Sequence, residues 1–150
     1  MKHVQYRVAD FHDIPTLAKI RSKDPATEAH WTHRLTEYLE RRHHPHQALE
    51  PRIIFVATID EKIVGFIAGH LTLRYKCDGE IQWINVIDEY RRIGIASHLI
   101  KILAHWFIEQ NAYNICVDPG NDSARKFYMK NGAINLNEHW MHWIDIRKLF

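Results

Sequence analysis

The stretch from residue 53 to residue 73 limits most what this chain can become. Ile53–Ile59 is a nearly unbroken apolar run, Asp60-Glu61-Lys62 interrupts it, and Ile63–Leu73 is a second long run. Apolar runs of this length around a short charged turn read as a hairpin whose strands are covered on most sides. That hairpin belongs in the middle of a sheet, so the remaining elements must supply its covering layers. With 150 residues, 46% of them hydrophobic and 25% charged, the chain has enough material for one core without disulfides or a structural metal.

The flanking pattern supplies those layers. Lys2–Ala9 alternates as a strand, and Asp10, with Asp13 three residues on and Pro15 early in the turn, starts a helix over Phe11–Arg21. After Asp24-Pro25, the spacing of Trp31, Leu35, Tyr38 and Leu39 predicts a second helix ending near Arg42, followed by a loop over His43–Pro51. Glu80–Val86 reads as the fourth strand, with alternation putting Gln82 on the face of Glu80. From Gly94 the period turns helical, with Ile95, Leu99, Ile102, Leu103, Trp106 and Phe107 on one face. A short strand over Tyr113–Val117 and a turn over Asp118–Asn121 lead to a helix over Asp122–Asn131, closed by Gly132. Ala133–Ile146 returns to strand chemistry, Met141, Trp143 and Asp145 on one face and Trp140, His142 and Ile144 on the other. The expectation is an α/β chain, residues 1–150 forming one domain, with helices on both faces of a central sheet.

Several functions are disfavoured on composition. Cys77 and Cys116 lack metal or redox spacing and read as reduced thiols. Charged residues enter before any signal-like stretch, and no apolar run approaches the roughly 20 residues of a membrane span, so a cytoplasmic location is expected. A net charge of +2 leaves no general nucleic-acid footprint. His43-His44-Pro45-His46, without a nearby Cys or carboxylate ligand, reads as a solvated turn, and no metal is implied.

Chemistry concentrates in Glu89-Tyr90-Arg91-Arg92-Ile93-Gly94-Ile95-Ala96, between the fourth strand and its helix. Glycine permits close backbone approach, Ala96 avoids crowding, and the first N–H groups of the helix favour an anion, with Arg91 and Arg92 adding charged donors. A plain strand-to-helix turn with solvated arginines would use the same residues. Arg91-x-x-Gly94-x-Ala96 resembles the pyrophosphate loop of the GCN5-related N-acetyltransferase (GNAT) superfamily. The run from Gly120 to Ala133, with Asn121, Phe127, Tyr128 and Gly132, resembles the segment those enzymes place after their fifth strand, and Tyr6-Arg7-Val8-Ala9-Asp10 resembles their opening. Ala133 departs from the aromatic residue common there.

The resemblance implies a mixed, mostly antiparallel sheet flanked by helices and direct transfer of acetyl from acetyl-CoA to a primary amine. It assigns the pyrophosphate to Arg91, Arg92, Ile93, Gly94, Ile95 and Ala96, the pantetheine arm to main chain near Asn85, Val86 and Ile87, and further cofactor contacts to Asn121 and Arg125. Tyr128 takes the place of the proton donor to the departing thiolate, and Glu80 that of the general base, with an ordered-water relay as its competitor. Asn121 serves equally as a helix cap and Tyr128 as a core residue. Cys116 fits a buried thiol, since no acyl-enzyme is expected. A noncatalytic acyl-CoA sensor on the same fold is the alternative, and a homodimer is compatible with either. The acceptor stays open between polyamine, amino acid, antibiotic amine and protein N-terminus, because residues 22–51, which would shape its site, mix bases with Glu28, Glu37, Glu40 and Glu50.

Overall fold

A computed structural model describes residues 3–42, 45 and 47–150. The pairs and loops below are those of the described residues; His43, His44 and His46, read above as part of a solvated turn, and Lys2 lie outside them. The chain runs β1 (Val4–Val8), α1 (Ile14–Ser22), α2 (Glu28–Leu39), β2 (Ala48–Ile59), β3 (Lys62–Thr72), β4 (Gly79–Val86), α3 (Ile95–Glu109), β5 (Ile115–Val117), α4 (Asp122–Lys130), β6 (Ile134–Asn135) and β7 (Met141–Trp143). Among these residues one seven-stranded sheet forms in the order β1-β2-β3-β4-β5-β7-β6, antiparallel except where β4 meets β5.

The long apolar runs become β2 and β3, paired from Ile59↔Lys62 back to Ala48↔Thr72. β2 starts inside the expected loop, and its ladder is interrupted between Leu49 and Arg52, where Pro51 has no N–H to give. Each face of the hairpin carries its own core. Val64, Ile67, Leu99, Leu103, Phe107 and Tyr128 pack on the α3 and α4 side. Leu17, Leu35, Tyr38, Val56, Phe66 and Trp83 pack on the α1 and α2 side. α3 lies close because residue 79 is glycine: a Cβ there would fall 2.5 Å from Phe107. The buried stripe of α3 includes Ile100 and Ala104, while Ile102 and Trp106 are half-buried, a small rotation from the expected face.

Local chemistry explains the other departures. Asp10 and Asp13 form a reciprocal capping box, but around a single tight turn at Phe11–Asp13, so α1 itself begins at Ile14 with Pro15 in its first turn. The expected strand over Ala133–Ile146 is a hairpin instead. The Asn137 side chain accepts from the N–H groups of His139 (3.0 Å) and Trp140 (2.9 Å), reversing the chain between β6 and β7. Within β7, Met141 and Trp143 are buried and His142 half-buried, as alternation requires.

β4 carries the irregularity that matters for chemistry. Ile81 pairs with Gly69 and Trp83 with Ala68, so Gln82 is an extra residue, a β-bulge. Alternation therefore resets. Glu80 and Trp83 share the α1 and α2 side, Ile81 and Ile84 the other, and Gln82 does not share the face of Glu80 through regular alternation.

Candidate active site

β4 and β5 are paired only from Gly79↔Ile115 to Ile81↔Val117. Beyond Ile81, β4 continues to Val86 against β3 alone, and the edge that faced β5 keeps unpaired backbone groups. A cavity of about 1270 Å³ fills this divergence, walled by β4, the start of α3, the loop after β5 and one face of α4.

One end of the cavity is built from backbone. Ile87 and Tyr90 frame a tight turn, after which Arg92 (φ 64°) and Gly94 (φ 90°) adopt the left-handed region that glycine tolerates best. A Cβ at Gly94 would have no neighbour within 4 Å, so the loop stands open there. No side chain caps α3, and its first intrahelical bond is His98 N–H to the Gly94 carbonyl (3.0 Å). The N–H groups of the first turn are left for an anion, with the helix dipole behind them. Arg91 folds back, donating to the Val86 carbonyl (3.1 Å) and pairing with Asp88 (3.1 Å). Gly94, Ile95, Ala96, Arg91 and Arg92 line the cavity; Ile93 and Ile87 do not, and the Ile87 N–H donates to Val64.

The other end is built from side chains. Tyr128, only 4% exposed, reaches the cavity from α4 while its ring packs edge-on against Trp143. Burial pushes its phenol above the ordinary tyrosine range, opposed by Arg21 and reinforced by Asp118, so the hydroxyl keeps its proton. No described residue hydrogen-bonds that hydroxyl. Glu80 is buried at the cavity floor, where Arg74 Nε donates to Oε1 at 3.0 Å. His70 Nε2 stands 3.7 Å from the same oxygen without a hydrogen-bond partner, and its Nδ1 meets the Tyr38 hydroxyl at 2.9 Å.

Asn121 is a helix cap whose side of α4 borders the cavity. Its Oδ1 caps α4 by accepting from Ala124 (2.8 Å), and the residue lines the cavity. Asn85 also lines it, with its side-chain oxygen accepting from Arg21 (2.9 Å). Arg125 stands apart from the wall, its guanidinium bonded to Asn135 and to the His139 carbonyl (3.1 Å). Contact with Cys77 and burial push the Cys116 thiol up, which suits packing and not attack. Among the described residues no cluster of His, Cys, Asp and Glu is arranged to hold a metal.

Residues 16–133 match the model of the Acetyltransferase (GNAT) family. The chain belongs to that family. A 106-residue stretch is 28% identical to N-alpha-acetyltransferase 30 of Xenopus laevis, covering 66% of this chain and 39% of that protein, so the match spans about two fifths of the relative's length. The PaiA N-acetyltransferase of Thermoplasma acidophilum, solved in complex with coenzyme A, superposes with a TM-score of 0.71 at 12% identity over 95% of this chain and 99% of that one. A predicted acetyltransferase of Clostridium acetobutylicum, solved with acetyl-CoA, gives 0.69 at 22% identity over 91% and 93%. These two likenesses concern the fold; the matched family model establishes membership of the GNAT family, and the mostly antiparallel sheet is the one expected of it.

Sequence reasoning missed Arg21, Arg74 and the Tyr38–His70 pair. His70 alone carried a signal, a titratable residue inside the apolar run of β3 that is 0% exposed. Arg21 and Arg74 sit at the ends of elements, where cations are commonplace on any helix or turn.

Proposed function

We propose that this GNAT protein transfers acetyl from acetyl-CoA directly to a primary amine. The observation that carries the reading is the unzipped β4–β5 edge, with the uncapped start of α3 at one end and the Tyr128 hydroxyl at the other. Acetyl-CoA supplies a thioester carbonyl. The first turn of α3, Gly94 and Arg92 hold its pyrophosphate, and Ile93 completes the loop's conformation. The free edge at Asn85 and Val86 bonds the amide-bearing arm as an added strand would. Asn121 contacts that arm, and Arg125 braces α4 through Asn135.

Glu80 takes the proton of the incoming ammonium, directly or through water. The freed amine forms the C–N bond as the C–S bond breaks, and Tyr128 gives its proton to the leaving thiolate. The acylated nitrogen releases its second proton to water as the amide forms, and the phenolate regains a proton from solvent.

An acetylation screen over amino acids, peptides, polyamines and aminoglycosides, read by release of free thiol, tests the proposal. Turnover of at least one class is expected. Tight CoA binding with no turnover in any class would replace it with the noncatalytic acyl-CoA sensor.

A further inference from the structure

Two arginines beside the cavity have no carboxylate partner among the described residues, although one of them, Arg21, donates to the Asn85 side-chain oxygen (2.9 Å). Arg21, near the end of α1, lies 4.9 Å from the centre of the Trp31 ring, and Arg34 on α2 lies 5.7 Å from the same ring and 5.9 Å from Trp83. Their charges oppose one another, and burial and the Arg34 charge both hold Arg21 below the ordinary guanidinium range. Neither is paired with a carboxylate among the described residues, and the Nε of each is buried without a hydrogen-bond partner. Like charges pressed together with unmet buried donors are costly, and ring contacts offset only part of that cost.

The acids that left the acceptor open in the sequence do not come to this wall. Glu37 pairs with His33, Glu40 with Arg42 and Glu50 with Arg41, and none of the three lines the cavity; neither does Glu28. Lys23 does line it, beside Arg21 and Arg34. Of the two acids that line the cavity, Glu80 is already held by Arg74, and Asp118 lies in the loop after β5, where it accepts from the Gly120 N–H (3.0 Å). The anion-binding start of α3 is a separate feature, on the other side of Asn85 along β4.

Resting on the acetyltransferase reading above, we infer that the acceptor is an amine that also carries a carboxylate, which docks between Arg21 and Arg34. The guanidinium donors meet the carboxylate, and Gln82, whose side-chain oxygen is buried without a partner at the bulge, faces the same cavity as an acceptor for the ammonium. Free amino acids and peptides with an acidic residue near the N-terminus share this chemistry.

Matched pairs test it. Glycine against glycinamide, alanine against alaninamide, and Asp-initiated against Asn-initiated peptides separate the two sources, and in at least one source the acid should exceed its partner by roughly 10- to 100-fold in kcat/KM, the worth of one charge-assisted pair. Arg34→Gln should raise the acceptor KM by a similar factor while the acetyl-CoA KM stays within about twofold, and Arg34→Lys should recover part of the loss. Equal use of acid and amide, preference for a polyamine, or an effect of Arg34→Gln on acetyl-CoA alone would overturn the inference. A second measurement does not depend on turnover. With CoA present, calorimetry should show N-acetylglutamate or an N-acetyl-Asp peptide binding at least 10-fold tighter than its amide, and Arg34→Gln should erase that difference. No difference for either ligand would sink the inference even if the protein proved noncatalytic.

Discussion

The two ends of the cavity are made of different material. At the start of α3 the groups left without a partner in the helix are backbone N–H, exposed by a left-handed glycine and the absence of a capping side chain. At the far end they are the side chains of Arg21, Arg34, Arg74, Glu80 and Tyr128, carried on α1, α2, the β3–β4 turn, β4 and α4. A backbone site tolerates change in most side chains but not in conformation. A side-chain site depends on several elements meeting, and one altered atom in it changes chemistry without disturbing the cofactor.

Tyr128→Phe breaks the side-chain end most severely. The ring and its packing on Trp143 remain, and only the hydroxyl is lost. The chemical step should slow by roughly 10²- to 10⁴-fold, with acetyl-CoA affinity little changed. Because burial keeps the phenol protonated, ionisation of Tyr128 should not depress the parental rate at mildly alkaline pH. Single-turnover acetyl transfer at the parental rate in the Phe variant would make Tyr128 a core residue alone.

Glu80→Gln acts at the same end with a smaller effect. It keeps the shape and removes the proton site, so turnover near neutral pH should fall by roughly 10²-fold and recover partly as rising pH supplies free amine, whose pKa is about 10. A pH–rate profile that matches the parent's would assign the proton to a water relay.

Gly94→Asp addresses the backbone end. The new side chain has room, so the fold should persist with a strain of about 1 kcal/mol from the left-handed conformation. Its charge would face the pyrophosphate, and CoA affinity should drop by roughly 10- to 100-fold, as calorimetry can measure. Gly94→Ala sharpens the comparison by adding strain without charge, and should cost far less binding. Unchanged CoA affinity in a folded Asp variant would remove the pyrophosphate from this loop.

The same contrast explains what could be read from the sequence. The loop proposed for the pyrophosphate stood out in the sequence because close backbone approach demands small residues at fixed spacing, and Gly94 and Ala96 satisfy that demand within a few positions. The apolar runs of β2 and β3 were legible because burial on both faces leaves no polar alternation. Gln82 was not, since a bulge adds one residue without any compositional mark, and alternation counted through it misplaced the face. The turn at Asn137 was hidden in a stretch that otherwise alternates well. Arg21 and Arg34 could not be recognised either. Thirteen positions apart on two helices, they meet only because both helices fold onto Trp83 and share Trp31.

The smallest effect should come from Asp13, outside the cavity wall but at the root of the helix that carries Arg21. Its carboxylate receives Arg7 through two bonds of 2.8 and 2.9 Å and the Asp10 N–H at 2.9 Å. The Arg7 hydrogen bonds hold its pKa below the ordinary carboxylate value; burial opposes this, and the Asp10 N–H and the Arg7 charge add to the lowering. A carboxylate with a lowered folded-state pKa contributes stability that is present above its unfolded value of about 3.9 and is lost as pH falls through the folded value. Arg7 is about half exposed, its side chain 47% accessible, so solvent screens the pair, and Asp13→Asn should cost only about 1 kcal/mol near neutral pH. Asn keeps an acceptor for the Asp10 N–H, which leaves the loss of charge as the main change. Thermal unfolding of both proteins should show a gap that is steady from pH 7 to about 5 and closes as acid protonates Asp13 in the parent. Added salt should narrow it at neutral pH. CoA affinity should not move, because neither Asp13 nor Arg7 lines the cavity. If the gap instead persists undiminished below the folded pKa, Asp13 supports α1 through shape and neutral hydrogen bonding, and its ion pair with Arg7 contributes nothing to the side-chain end.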